Sequence, residues 1–319
     1  MIQDVRFYDF DFNLVYIISD WVSLNWELKY NGVGTFEMQL PASSPVLKFI
    51  KGRGNLIAVQ GDKQAIITGI MLDDYITLHG RTPNWLLSKR VVMPFEMGEK
   101  KDIETIIRLR MGEAFDISDN LELGALAGGF EVLEEFALKS PRDMLTFVTD
   151  NLDGTGAGHR LTFEPLKHRW LFEVYRGEEK GIILSQANNN AYYPRYTQDI
   201  LDKADGICYK DKATGGYVTI PATGKGILRW YKIGKADNKA DATDELKKLK
   251  DNSSLTFETT HIKYGTDYRL GDVFPVETEF GGNKVRKLSR VKSVRIWNEA
   301  LNTGQSPEFE QVEADANGD

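Results

Sequence analysis

Apolar and polar residues alternate near the start of the chain. Leu24, Trp26, Leu28 and Tyr30 alternate with Asn25, Glu27 and Lys29. Beyond the turn Asn31-Gly32-Val33-Gly34, Phe36, Met38 and Leu40 alternate with Glu37 and Gln39. A period of two on both sides of a Gly-containing turn predicts a β-hairpin with one apolar face, with Trp26 and Phe36 in the core. Pro41 closes it, because proline cannot donate to a ladder. Pro45 to Ile50 suits one helical turn. Residues 55–60, 64–72 and 75–79 read as further strands, with Gly61-Asp62 and Asp73-Asp74 as turns. A short helix is expected from Pro83, with Thr82 at its N-cap.

The period then lengthens. Ile103, Ile106, Ile107 and Arg110 share one helical stripe, and Asp102 is placed to cap it. Ser140-Pro141-Arg142-Asp143 predicts another helix start, with Ser140 as N-cap and Met144, Leu145, Phe147, Val148 and Leu152 following at helical spacing. Residues 161–163 and 170–175 read as a second hairpin, and 181–184 as a short strand. Strands return at 192–200, 206–209, 216–220, 227–232, 254–262, 272–278 and 286–297, interrupted by a polar helix near 241–250. The expected fold class is α+β, mainly β. Two related β-barrel-like domains (1–94 and 190–305) bracket an inserted small α+β domain (95–189), and the acidic stretch 306–319 is expected to be a mobile tail.

One internal echo bears on this division. RGNLIAVQ (53–60), a turn and AIITGIMLDD parallel LGDVFPVE (270–277), a turn and KLSRVKSVRI. The echo reads either as chance likeness between two hairpins or as a duplicated barrel module split by an insertion.

Composition narrows the function classes. A formal net charge of −7 disfavours a general nucleic-acid binder, which needs cations to displace counterions. A single cysteine, Cys208, rules out an internal disulfide and a thiolate cluster. The start MIQDVRFYDFDF has no basic segment followed by an apolar one, so no signal peptide is expected, and no apolar run is long enough to span a bilayer.

Candidate catalytic patterns fail on spacing. Asp150 to Thr155 approaches the aspartate-based phosphatase motif, but Asn151 stands where the nucleophile should be and the segment follows a helix. Gly154 to Gly158 lacks the Lys-Ser/Thr of a phosphate-binding loop. His79, His159, His168 and His261 have no metalloprotease spacing. Asp73-Asp74, Glu134-Glu135 and Glu178-Glu179 are adjacent, whereas a glycosidase needs carboxyls on opposite sides of a bond. No catalytic residue, metal site or cofactor is expected, and the chain is expected not to be an enzyme. The densest basic cluster, Lys284, Arg286, Lys287, Arg290 and Lys292, interleaves with Val285, Leu288, Val291 and Val294. It reads as an edge strand guarded by charge or as a docking face for an acidic partner subunit.

Two runs resemble the tail-hub, or baseplate-hub, proteins of tailed bacteriophages and phage-tail-like particles. The first is Gly54-Asn55-Leu56-Ile57 with Val59, then Ile67-Thr68-Gly69-Ile70, Leu78-His79-Gly80-Arg81, Leu86-Leu87 and Arg90-Val91. The second is Tyr268-Arg269-Leu270-Gly271-Asp272-Val273 with Val276, Val291 and Val294, similar to the turn that opens the family's returning barrel. The resemblance implies a structural hub of a tail tip or baseplate: a homotrimeric ring adapting a sixfold tail tube to a threefold tip. Its implied partners are a tail-tube or distal tail protein, a tape-measure protein and a tip or spike protein, without sequence-specific nucleic acid binding. The implied location is the virion tail, assembled in the host cytoplasm. The alternative is a cell-wall carbohydrate-degrading enzyme of a phage tail.

Overall fold

The computed structural model describes residues 4–50, 56–115, 120–199, 204–222, 229–247, 252–299 and 302–312. Gly54 and Asn55, the start of the expected strand at 227, the helix end at 248–250 and residues 313–319 lie outside them. Seven strands come first: β1 (Val5–Tyr8), β2 (Leu14–Ile18), β3 (Ser23–Lys29), β4 (Thr35–Pro41), β5 (Ile57–Gln60), β6 (Lys63–Leu72) and β7 (Tyr75–Arg81). The inserted region contributes α1 (Ile103–Ala114), α2 (Met144–Leu152), β8 (Ala157–Glu164), β9 (Arg169–Arg176) and β10 (Leu184–Ser185). Next come β11 (Ala191–Asp199), β12 (Gly206–Lys210), β13 (Tyr217–Ile220), β14 (Tyr231–Ile233), α3 (Lys239–Lys247) and β15 (Asn252–Thr259). The chain returns through β16 (Val273–Phe280), β17 (Asn283–Glu299) and β18 (Asn302–Val312). The fold is α+β and mainly β.

The first and last strand groups share one eleven-stranded sheet, ordered β10-β16-β17-β3-β4-β7-β6-β5-β1-β2, with β18 on β17. The joint is β17. Its residues 283–290 pair with β16 and its residues 293–299 with β3, while β18 runs along the opposite edge from Leu288 to Glu299. The register shifts between Val291 and Ser293, so Lys292 is a bulge at the changeover. A bulge bends its strand and adds twist, which lets one strand serve two ladders in succession.

Period-two alternation gives the sheet two apolar faces. Val5, Phe7, Trp26, Phe36, Met38 and Ala58 fill one core. Tyr8, Ile57 and Ile66, one residue out of phase, turn the other way and pack with Ile106, Ile107, Phe147 and Val148 of the helices and with Phe163 and Phe172 of β8 and β9. The inserted α+β region is therefore held to the sheet by a shared apolar core.

The expected boundaries need correction. Residues 191–258 form a compact unit of their own, while 259–312 belong with the first 190 residues. In that unit β12 lies between β13 and β14, and β11 pairs with β15. Its small core holds Ile207, Tyr209, Ala236 and Ala242. The polar helix α3 thus buries Ala242 and is not wholly exposed. The expected tail is also shorter, because residues 306–312 are the end of β18. Its acidic residues find partners on β17: Glu308 accepts from Ser293 Oγ at 2.7 Å and Glu310 lies 3.4 Å from Arg290. Phe309 packs edge-on against Phe274. A stretch that reads as solvated is a paired strand because its carboxylates match groups far away in sequence.

Local helix signals succeed where no tertiary contact competes. Asp102 caps α1, its Oδ1 accepting from Thr105 N at 2.9 Å. The second helix begins three residues later than the Ser-Pro signal predicts. Arg142 and Asp143 pair with Val92 and Val91, and Asp143 becomes the cap by accepting from Thr146 N. Thr82 makes no cap at the 3-10 turn Pro83–Lys89. Its Oγ1 instead accepts from Gly34 N at 2.7 Å, tying the first hairpin to β7.

Candidate interaction surfaces

The Tyr-x-x-Gly-Asp turn forms a structural joint. Gly271 has φ +88°, and a Cβ there would meet the Tyr30 ring at 2.5 Å. Gly158 lies under the same ring, where a Cβ would meet it at 2.2 Å. Tyr30 Oη donates to Gly156 O at 3.1 Å, and burial pushes the phenol up to about 12. The Gly154–Gly158 segment is thus a packing site for Tyr30, and its backbone is engaged by protein. Asp272, buried, accepts from Arg269 N at 2.8 Å and Glu178 N at 2.9 Å, and Lys180 Nζ lies 3.1 Å away. This carboxylate holds the chain leaving β9 against the returning hairpin.

His159 is fully buried on β8. Its Nδ1 lies 3.1 Å from Asn31 Oδ1, an acceptor, so the network assigns the proton to Nδ1. Its Nε2 is buried without a partner among the described residues. Burial pulls the imidazole down to about 4. The unfolded chain therefore binds a proton near pH 6.5 that the folded one refuses. Stability is fully present above that pH and falls as pH drops towards 4, by up to about 1.4 kcal/mol per pH unit. We expect urea unfolding of His159→Gln to lack this part of the pH slope. Equal slopes in both proteins would refute the assignment.

The other candidate groups are dispersed. Asp150 pairs with Arg142 and Asp153 is the C-cap of α2. Glu134 pairs with Lys100, and Glu178 with Lys180. His168 is the left-handed residue closing the Pro165–Lys167 turn. A cleft of about 1010 Å³ lies between the outer face of β8–β9 and residues 264–272. Its Arg160 pairs with Glu173 at 2.8 Å and its Lys180 with Asp272, so these charges neutralise one another. Among the described residues no group of three or more metal-ligating side chains converges.

The basic strand residues divide. Lys284, Arg286 and Lys292 are exposed, whereas Lys287 and Arg290 are half-buried. Arg290 stacks over Tyr30 and pairs with Glu310, so it serves the interior. Arg286 lies 3.4 Å from Glu277, and Lys284 stands opposite Glu279 in the ladder. The exposed cations at the β16–β17 hairpin end thus share their face with two carboxylates, and Lys292 stands apart at the bulge.

A second exposed feature escaped the sequence reading. Ile70, Met71 and Leu72 at the end of β6 and Tyr75 at the start of β7 are 41–60% exposed. Consecutive exposed residues on a strand point to both faces, so the end of β6 carries apolar side chains on both, while Tyr75 of β7 pairs with Pro41 of β4. The turn between β6 and β7 carries Asp73 and Asp74, and Asp73 Oδ1 accepts from Tyr75 N at 2.9 Å. The available signal was the broken alternation in Ile-Met-Leu-Asp-Asp.

The comparisons with known proteins agree with the motif resemblance. Residues 4–100 match the family described as Siphovirus ReqiPepy6 Gp37-like protein. No curated protein matches the chain by sequence. A tail protein from Neisseria meningitidis MC58 superposes with a TM-score of 0.63 at 11% identity, covering 98% of this chain and 97% of that one. The 43 kDa tail protein of prophage MuSo2 from Shewanella oneidensis gives 0.61 at 9% identity, covering 97% and 98%. Prophage tail protein gp18 from Listeria monocytogenes EGD-e gives 0.63 at 12% identity, covering 98% and 95%. Residues 4–100 thus carry the pattern of the Siphovirus ReqiPepy6 Gp37-like family, and the chain along almost its whole length has the fold of phage tail proteins.

Proposed function

We propose that the chain is a structural hub of a phage tail tip or baseplate, located in the virion tail and assembled in the host cytoplasm. Three copies form a ring that adapts a sixfold tube to a threefold tip. The observation that carries this reading is the joining of two strand groups through β17, alongside a whole-length likeness to tail proteins. On this reading the first and last strand groups of each chain, three times over, present six docking surfaces. Partners on this reading are the tail-tube or distal tail protein, the tape-measure protein and the tip or spike protein.

The role is mechanical, and no single Asp, Glu, His or Ser carries a chemical activity. Clearing of purified peptidoglycan by the isolated chain would favour a carbohydrate-degrading enzyme instead. The ring surrounds the path of DNA, and an acidic lining repels phosphate over about 8 Å at physiological salt. The net charge of −7 supports such a lining. A structure of the assembled tail tip tests the proposal. Three copies around an opening richer in Asp and Glu than in Lys and Arg are expected. Six copies, or a lumen dominated by Lys and Arg, would defeat it.

A further inference from the structure

A cavity of about 700 Å³ lies over one face of the sheet where β3, β17 and β18 run together. Residues opposite each other in an antiparallel ladder share a face. Leu24, Asn298 and Thr303 form one rung and Trp26, Ile296 and Gln305 another, so all six line the same side. Residues 259–266 lie across this face and are tied down by Gln305. Its Nε2 donates to Ile262 O at 2.7 Å, and its Oε1 accepts from Tyr264 N at 3.1 Å. The β5–β6 turn supplies a further wall. Gln60 Oε1 accepts from Trp26 Nε1, and Lys63 stands opposite Gln60 in the ladder, so its side chain leaves the turn on the cavity side. Every lining residue belongs to the larger unit.

The charge of this lining runs against that of the chain. The sequence holds 47 Asp and Glu, yet none lines the cavity, whereas Lys63, His261 and Lys263 do. His261 and Lys263 are exposed. Lys63 is half-buried, and its ammonium has no ion pair or hydrogen bond among the described residues. Burial pulls it below the ordinary lysine range, opposed by the neighbouring Asp62, which lies outside the lining. A desolvated cation without a counter-charge is costly, and an incoming anion recovers that cost. Nearby, the Asn298 amide and the Thr303 hydroxyl bond to no protein group among the described residues, and Thr259 Oγ1 is buried without a partner. Side chains that both donate and accept match ligand hydroxyls, which do the same. The volume falls in the range of small-molecule sites.

We propose that this cavity binds a sugar acid, a saccharide ring carrying a carboxylate or a phosphate, with Lys63 on the anionic group and Asn298 and Thr303 on the hydroxyls. The site lies within one chain and needs no second copy, so it stands apart from the ring reading.

Calorimetry on the full-length chain at low salt tests this, with glucuronate and glucose 6-phosphate as probes and glucose, inorganic phosphate and tetraglutamate as controls. Saturable binding of at least one sugar acid is expected, and which of the two binds more tightly tells carboxylate from phosphate. Each control should bind at least about tenfold more weakly, the loss that goes with one charge-assisted hydrogen bond or its hydroxyl partners. Lys63→Gln should weaken the sugar acid by a similar factor, while Lys63→Arg keeps most of the affinity. The glutamine variant removes a desolvated charge and should melt no lower than the parent chain. Asn298→Ala should weaken the same ligand without the change at Lys63. No saturable binding of either sugar acid, binding that Lys63→Gln leaves unchanged, or a control bound as tightly as the sugar acids would overturn the inference. Each of these results leaves the copy number of the tail ring untouched.

Discussion

Asp272→Ala is expected to cost about 3–5 kcal/mol, because it leaves two buried backbone N–H donors unsatisfied at roughly 1–3 kcal/mol each and takes one of two carboxylate partners from Lys180. The carboxylate is 3% exposed and accepts two backbone N–H groups, with Lys180 Nζ as a third neighbour. Alanine strands Arg269 N and Glu178 N in a space too crowded to move apart. A Cβ on Gly177 would already lie 1.9 Å from Gly271 O. Asp272→Asn should recover only part of the loss, because its amide nitrogen faces donors on one side. Urea unfolding measures both. A loss under about 1 kcal/mol for alanine would show that the turn holds without its carboxylate.

Trp26→Ala should cost a similar amount, about 3–5 kcal/mol, for a different reason. The indole is 1% exposed, packs against Phe36 with centroids 4.5 Å apart, and donates from Nε1 to Gln60 Oε1 at 3.1 Å. Trp26 stands opposite Phe36 on one side and Ile296 of β17 on the other. The cavity would therefore open where the first and last strand groups meet. Both should melt together in one transition, at a lower temperature. Separate melting of residues 1–90, or an unchanged midpoint, would contradict a shared core. Trp26→Phe keeps the ring but loses the donor to Gln60, and should fall between wild type and alanine.

Much of the sheet was legible along the chain. The hairpin β3–β4, the strands through β7 and the pair β8–β9 lie close to where alternation places them. Such pairs involve neighbours in sequence, so pattern and turn chemistry suffice. The returning hairpin was legible through Tyr268, Gly271 and Asp272, although their purpose was not. That Gly271 makes room for Tyr30, more than two hundred residues earlier, follows only from the close approach of the two segments. The basic strand was found, but its division into an exposed end and the buried-side Arg290 was not. Which cation meets water depends on β18, and Glu308 and Glu310 hide that strand's pattern.

By itself the sequence determined most of the strands and helices, the mainly β class, the helix cap at Asp102 and the tail-hub resemblance. These depend on the side-chain period, on local hydrogen bonds and on glycine where φ is positive, all set within a few residues. Tertiary structure decided the rest. It joined the two strand groups through one bulged strand and separated residues 191–258 as a unit. It also made a strand of 302–312 and left Ile70, Met71 and Leu72 exposed. The physical reason is that ladder pairing and burial are settled between residues far apart in sequence. The same alternation describes a strand in the middle of a sheet and one at its edge, and only the partner across the ladder tells them apart.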